Sequence, residues 1–272
     1  MKTIIVGTDL SLNGAVAIRY AADMALATDA HLHILHVHQP TLSYVELALH
    51  VDSGSMVSAA EKEMEELKEY FEKLTKGRLY ISTEVRMGDV IEELQQVCKR
   101  ISPDFVVIGA QGKSAAARFF LGSHAVRIMR QLKWPVIAVP KEGHFRVIKK
   151  IGLACDLNDV VESIPIDEIK LLVKSFNAEL HVINSGKMAE FYPEELDQSI
   201  ILRELLEAEN PTFHFIVNKS GDNAILEFAE QNEIDLLIII PGHHSVIKQL
   251  VTRSHTRKMV LQSHVPVMSL QA

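Results

Sequence analysis

Two stretches, each about half of the 272-residue chain, carry the same five landmarks in the same order. An apolar, β-branched run ending in aspartate, TIIVGTDL (3–10), returns as KIGLACDL (150–157), so that Asp156 answers Asp9. DAHLHILHV (29–37) returns as NAELHVINS (177–185). GDVIEELQQVCKRISPDFVVIGAQG (88–112) returns, with one gap, as GDNAILEFAEQNEIDLLIIIPGHH (221–244), and WPVIAVP (134–140) as VPVMSLQ (265–271). A period this long lies far outside solenoid repeats, so the chain reads as one domain duplicated in tandem. Proline, glycine and charge interrupt the pattern at PKEGHFRV (140–147). The expected domains are therefore residues 1–141 and 148–272.

Each half alternates short apolar strands with helical stretches. NGAVAIRYAADMALAT (13–28) reads as a helix capped at Ser11 or Asn13. SAAEKEMEELKEYFEKL (58–74) places Met64, Leu67, Phe71 and Leu74 three and four residues apart, the signature of an amphipathic helix with a solvated charged face. DFVVIGA (104–110) is apolar on both faces, as a strand is when helices cover both sides of a parallel sheet. Strands with helical crossovers give two doubly wound, five-stranded α/β domains.

The composition narrows the partners. With 47% apolar and 23% charged residues the chain is globular. Its net charge of -7 argues against nucleic acid, whose phosphates call for a basic surface. Two cysteines, Cys98 and Cys155, offer no disulfide framework and fit a reducing compartment. No apolar run reaches the ~20 residues of a membrane span. MKTIIVGTDL reaches an aspartate too early for a signal peptide. The expected location is the cytoplasm, with no membrane span.

VVIGAQGKSAAARFFLGSHA (106–125) contains Gly112-Lys113-Ser114, the tail of a phosphate-binding Walker loop, but Val107 stands where that motif requires glycine. The dinucleotide spacing G-x-G-x-x-G fails as well. The spacing present is Gly109, two residues, Gly112, nine residues, then Gly122-Ser123. Gly109 ends a strand, and Gly112 admits a ligand to the backbone with no Cβ in the way. Gly122-Ser123 opens SHAVRIMRQL, a helix whose N-terminal N–H groups and dipole favour phosphate. Lys113 and Arg118 read as solvated loop charges, and Phe119 and Phe120 as packing beneath the loop.

This spacing, with the Thr8-Asp9 pair ending the first strand, resembles the universal stress protein family, here as a tandem pair covering the whole chain. The resemblance implies an adenine nucleotide α-hydrolase-like fold with strand order 3-2-1-4-5 in each half. The first and fourth strands are then neighbours, and their carboxyl ends flank the switch point at which ligands bind in such sheets. It further implies a bound adenine nucleotide, ATP with magnesium. Asp9 would face the adenosine, the backbone at Val37 would line the adenine pocket, and Gly109, Gly112, Gly122 and Ser123 would hold the phosphates. Single-domain members dimerise through their fifth strands. PVIAVP (135–140) and PVMSLQ (266–271) are thus expected to pair antiparallel within one chain, forming an intramolecular pseudo-dimer, with a further homodimer open.

The second half departs from the glycine pattern. Ile240, His243 and Arg253 stand where Gly109, Gly112 and Gly122 stand in the first, while Asp156 and Ser254 remain. ATP is therefore expected only in the first half; the second could take another anion or a lipid. No general base or activated nucleophile accompanies the glycine loop, so no catalytic residue is assigned. The expected function is a nucleotide-dependent sensor or regulator of stress responses, with ATP hydrolysis at most slow. The alternative is a nucleotidyl-transferring or ATP-cleaving enzyme of a related fold, whose HIGH-like or SGGxDS signatures this sequence lacks. In HLHILHVH (31–38), His31 and His33 share one strand face and His36 and His38 the other. No spacing forces these or the other histidines into a metal site, and Cys98, within a helical pattern, reads as buried.

Overall fold

The computed structural model describes residues 2–39, 53–111, 123–155, 157, 159–186, 193–217, 221–241 and 253–271. The first half runs β1 (Thr3–Thr8), α1 (Leu12–Thr28), β2 (His31–His38), α2 (Ser53–Thr75), β3 (Ile81–Met87), α3 (Val90–Ile101), β4 (Phe105–Gly109), α4 (Ser123–Gln131) and β5 (Val136–Val139). The second half repeats it as β6 (Lys150–Ala154), α5 (Val160–Ser163), α6 (Ile166–Phe176), β7 (Glu179–Gly186), α7 (Pro193–Leu205), β8 (Thr212–Val217), α8 (Gly221–Gln231), β9 (Leu236–Ile239), α9 (Arg253–Gln262) and β10 (Val267–Ser269).

All ten strands form one sheet in the order β3-β2-β1-β4-β5-β10-β9-β6-β7-β8. Each half thus has the order 3-2-1-4-5. Every pairing is parallel except the central one, where β10 meets β5 antiparallel with Val267 opposite Ala138, Met268 opposite Ile137 and Ser269 opposite Val136. The fifth strands pair across the duplication as the resemblance implies, and neither is left as an open apolar edge.

The strands alternate between two cores. Ile4 and Val6 of β1, Phe105 and Val107 of β4, and Ile137 and Val139 of β5 face one core with α1, α2, α6 and α7. Ile5, Val106, Ile108, Val136 and Ala138 face the other with α3 and α4. Both cores take residues from the two halves: Ile151, Leu180 and Met268 join the first, and Ile239, Val260 and Val267 the second. The alternation with both faces covered is why these strands read as continuous apolar runs. At the seam the Gln271 amide donates to the Met129 carbonyl at 2.7 Å, capping the end of α4 from the opposite half. Tyr20 meets Phe145 edge-on at 5.4 Å, and Phe105 lies 5.9 Å from Phe176.

Three local features differ from the sequence reading or sharpen it. Ser11 is the cap of α1, accepting from the Gly14 N–H. On α2, Met64 and Phe71 are buried, but Leu74 is 45% exposed and Thr75 takes its place, its hydroxyl donating to the Phe71 carbonyl at 2.8 Å. The stripe therefore runs Ala60, Met64, the half-buried Leu67, Phe71 and Thr75, at spacings of four, three, four and four. The third feature is the first helix of the second half, which is broken: α5 ends at Ser163 and α6 starts at Ile166, after Pro165, which has no N–H to continue a helical ladder.

Candidate functional site

β1 and β4 lie side by side, with Gly7 opposite Ile108, and their carboxyl ends open together. β1 has β2 as its other neighbour and β4 has β5, so the chain winds away in both directions from this point. The crevice outside these ends is where the sequence reading put the ligand.

The turn leaving β1 is a hydrogen-bonded knot. The Thr8 hydroxyl accepts the Leu10 N–H at 3.0 Å, and the Asp9 Oδ1 accepts the Ser11 N–H at 3.0 Å. Leu10 adopts the left-handed conformation at φ 57°. These contacts turn the chain sharply into α1 and fix the half-buried Asp9 beside its first turn. From the flanking strand the buried His36 donates Nδ1–H to the Thr8 carbonyl at 2.9 Å, which sets its tautomer and ties β2 to the same turn.

Gly109 is the last residue of β4, level with Val139 of β5. A Cβ added there would stand 3.3 Å from the carbonyl oxygens of both Asn13 and Gln111. The backbone of β4 thus runs close against the first turn of α1. Gly14, which the sequence reading did not single out, is tighter still. Its Cβ would lie 2.5 Å from the Thr8 hydroxyl oxygen and 3.0 Å from the Asp9 Oδ1. Asp9, Gly14 and Gly109 therefore meet around one helix N-terminus. The only sequence signal for Gly14 is its place five residues after the strand-ending aspartate.

Val37 sits near the end of β2, half-buried, in register with Arg86 of β3. The rim beyond it is held by Arg86, whose Nε donates to Glu93 at 2.8 Å and whose Nη2 donates to Gln96 at 3.0 Å. Asp89 caps α3 by accepting from the Ile91 and Glu92 N–H groups. Ser123 opens α4, where the sequence reading starts a helix. Its side chain, like Gly112, Gly122, Lys113, Arg118, Phe119 and Phe120, lies outside the described residues.

A model of the universal stress protein family matches residues 1–140 and 149–270. The chain belongs to that family. Universal stress protein Slr1230 of Synechocystis is 25% identical over 295 aligned positions, covering 100% of both chains. Universal stress protein G of Escherichia coli O157:H7 is 30% identical over 145 residues, covering 51% of this chain and 98% of that one. Among solved structures, a universal stress protein from Archaeoglobus fulgidus superposes with a TM-score of 0.72 at 18% identity, covering 99% of this chain and 98% of that one, which shows a shared fold.

The two halves of this universal stress protein differ at their strand ends. Cys155 replaces Thr8, and its Sγ accepts the Leu157 N–H at 3.3 Å. Leu157 is left-handed at φ 58°, as Leu10 is, and Asn184 donates to the Cys155 carbonyl at 3.1 Å where His36 donates in the first half. The bond to Leu157 and its left-handed backbone match the first half; the two glycines are absent. Val161, 67% exposed, occupies the place of Gly14, and the buried Val160 has its N–H bonded to Gln198 Oε1 at 2.9 Å. Ile240, packed against the core, occupies the place of Gly109. Asp156 and the stretch at 242–252 lie outside the described residues, as does the Arg253 side chain.

Neither cysteine forms a disulfide, and both are buried. Burial pushes the Cys98 thiol up to about 12. Among the described residues no group of three or more histidine, cysteine or acidic side chains is placed to hold a metal ion, and no helix is long and apolar enough to cross a membrane.

Proposed function

We propose that this universal stress protein binds one ATP, with magnesium, in the crevice of its first half and acts as a nucleotide-dependent regulator of stress responses in the cytoplasm. The observation that carries this reading is the close approach at Gly109 and Gly14. Gly109 lets the end of β4 pack against the backbone of the first turn of α1, and Gly14 lets that turn pack against Thr8 and Asp9, so both strand ends meet one helix N-terminus where a Cβ has no room. In this reading Asp9 faces the adenosine, the Val37 backbone lines the adenine pocket, and Gly109, Gly112, Gly122 and Ser123 receive the phosphates. Residues 1–141 and 148–272 are the two functional units. The second does not bind ATP, because Val161 and Ile240 bring side chains to the two positions of closest approach.

Isothermal calorimetry and equilibrium dialysis on the full chain test it. One ATP per chain is expected, and Gly109→Val should abolish binding while the circular dichroism spectrum stays that of the parent. Two equivalent sites, or full affinity in Gly109→Val, would refute the assignment.

A further inference from the structure

The histidine-rich strand β2 carries a second chemical constellation, at the amino ends of the strands and so at the opposite end of the sheet from the nucleotide crevice. We propose that Ser82 is an activated nucleophile, with His33 as its base and Glu84 orienting that base, and that the chain hydrolyses small activated carboxylic esters there.

The hydrogen bonds define one arrangement of protons. His33 Nε2 lies 3.1 Å from Glu84 Oε2. A carboxylate only accepts, so Nε2 carries the hydrogen. Burial, the largest influence on His33, lowers its pKa and keeps it neutral, although Glu84 acts in the other direction. Neutral His33 with hydrogen on Nε2 has a lone pair on Nδ1, and Nδ1 lies 2.7 Å from the Ser82 hydroxyl. Ser82 therefore donates to His33. His31 Nε2 stands 2.8 Å from the same oxygen, whose hydrogen is already committed, so His31 donates to it. Arg100 bonds to Glu84 Oε2 and Arg86 Nη1 lies 3.7 Å from its Oε1, which holds that carboxylate in place. Nucleophile, base and orienting acid thus stand in hydrogen-bonded sequence, the geometry that covalent acyl transfer requires.

Access and oxyanion stabilisation are built into the sheet edge. β3 is the end strand. Leu32 donates to the Tyr80 carbonyl, and His33 is level with Ser82. Alternate residues of a parallel strand bond to the neighbour, so Ser82 bonds toward β2 and the Thr83 N–H points away from it, on the outer side of the last strand among the described residues. That N–H adjoins the nucleophile and is the donor for a developing oxyanion. Beside it the exposed Tyr80 ring lies 4.7 Å from His31, an aromatic shelf for an uncharged acyl ester.

In the reaction, Ser82 Oγ bonds to the ester carbonyl carbon and its proton passes to His33 Nδ1. The bond to the leaving alcohol breaks, and that alcohol takes the proton from His33. Water then attacks the acyl-serine, gives its proton to His33, and releases the carboxylic acid as Ser82 regains its hydrogen. The second half is an internal contrast. Its β7 and β8 place Thr212 level with His181 and His214 level with Ile183. Glu179, His181, Thr212 and His214 thus stand for His31, His33, Ser82 and Glu84. There His181 Nδ1 pairs with His214 Nε2 at 3.0 Å instead of with the hydroxyl of Thr212, and the exposed Glu179 carboxylate lies 3.5 Å from His181 Nε2.

The test uses the full chain, p-nitrophenyl acetate and a fluorophosphonate, which loses fluoride to an activated serine. Intact-mass and peptide analysis of the parent should find one phosphonyl adduct, on Ser82, with none on Thr212. Release of p-nitrophenolate should fall at least about a hundredfold in Ser82→Ala, on the scale of general-base catalysis. Glu84→Gln should still fold and still be labelled, but at least about tenfold more slowly. A parent that takes no label, a label on another residue, or hydrolysis undiminished in Ser82→Ala would overturn the proposal. The labelling of the parent needs no variant to fold, and no outcome depends on nucleotide.

Discussion

Gly14→Ala is the most informative single change in the nucleotide crevice. The added methyl would stand 2.5 Å from the Thr8 hydroxyl oxygen and 3.0 Å from Asp9 Oδ1. Neither atom can yield freely, because the first accepts the Leu10 N–H and the second the Ser11 N–H. Displacing both breaks two neutral or charge-assisted bonds of the turn, about 2 kcal/mol together. Alanine recovers up to about 1 kcal/mol of helix propensity over glycine. The net loss is therefore about 1 kcal/mol of stability, small against the effect on binding. Asp9 is pushed off its position, and ATP affinity should fall by more than tenfold. Gly109→Ala is the graded partner. Its Cβ meets only carbonyl oxygens at 3.3 Å, a few tenths of an ångström too close, so stability should change less. Urea denaturation and calorimetry on both variants read the two quantities separately. Gly14→Ala as stable as the parent with unchanged ATP affinity would refute the close-approach argument altogether.

Three further outcomes are expected. Ala138→Pro or Ser269→Pro should loosen the seam and raise protease cutting at residues 141–147, because proline removes a donor from the β5–β10 pairing; unchanged resistance would place the cohesion of the halves elsewhere. Burial first, and the charge of His181 second, lower the pKa of His214, and burial likewise lowers that of His33. The unfolded chain then binds more protons below about pH 6.5, so this stability is present above that pH and is lost as pH falls. Denaturant midpoints should drop from pH 7.5 to pH 5, and His214→Gln should flatten part of the slope. The thiol of Cys98, pushed up to about 12 by burial, should resist iodoacetamide in the native chain and react in urea.

The sheet was legible because the duplication wrote it twice. TIIVGTDL and KIGLACDL become β1 and β6, and the two PV-led segments become the antiparallel seam. The apolar strands were legible because both of their faces are buried. What escaped the sequence depends on distances rather than patterns. Gly14 lies inside a stretch rich in alanine, where a glycine reads as a mild defect, and only the positions of Thr8 and Asp9 show that a Cβ has no room. Leu74 fits the helical spacing, yet the helix turns it outward and buries Thr75, whose hydroxyl is satisfied within its own helix. Ser82, His33 and Glu84 are 49 and 51 residues apart in their pairs, joined only by the register of β2 on β3. Cys98, by contrast, is buried as its helical neighbours suggested.

The second half argues that the strand-end turn and the ligand cradle are separable. Its described residues keep bonds of the turn, with sulfur in place of a hydroxyl and an asparagine amide in place of the His36 imidazole, and the left-handed leucine is retained. Such a turn is needed wherever a parallel strand must reverse into a helix on the sheet face, whatever binds beyond it. The cradle proposed for the first half needs more: Gly14 must pass close to Thr8 and Asp9, and Gly109 close to the carbonyls of Asn13 and Gln111. That requirement falls on two positions, held by Gly14 and Gly109 in one half and by Val161 and Ile240 in the other. Val161 stands in the first of these positions, exposed on the short α5. The helix breaks after Ser163, passes Pro165 and begins again at Ile166. The second half thus differs from the first in its opening helix as well as in its two glycines. Restoring Gly109's counterpart alone by Ile240→Gly should therefore leave the second half without ATP binding, and a second bound ATP in that variant would show that the first helix plays no part in excluding it.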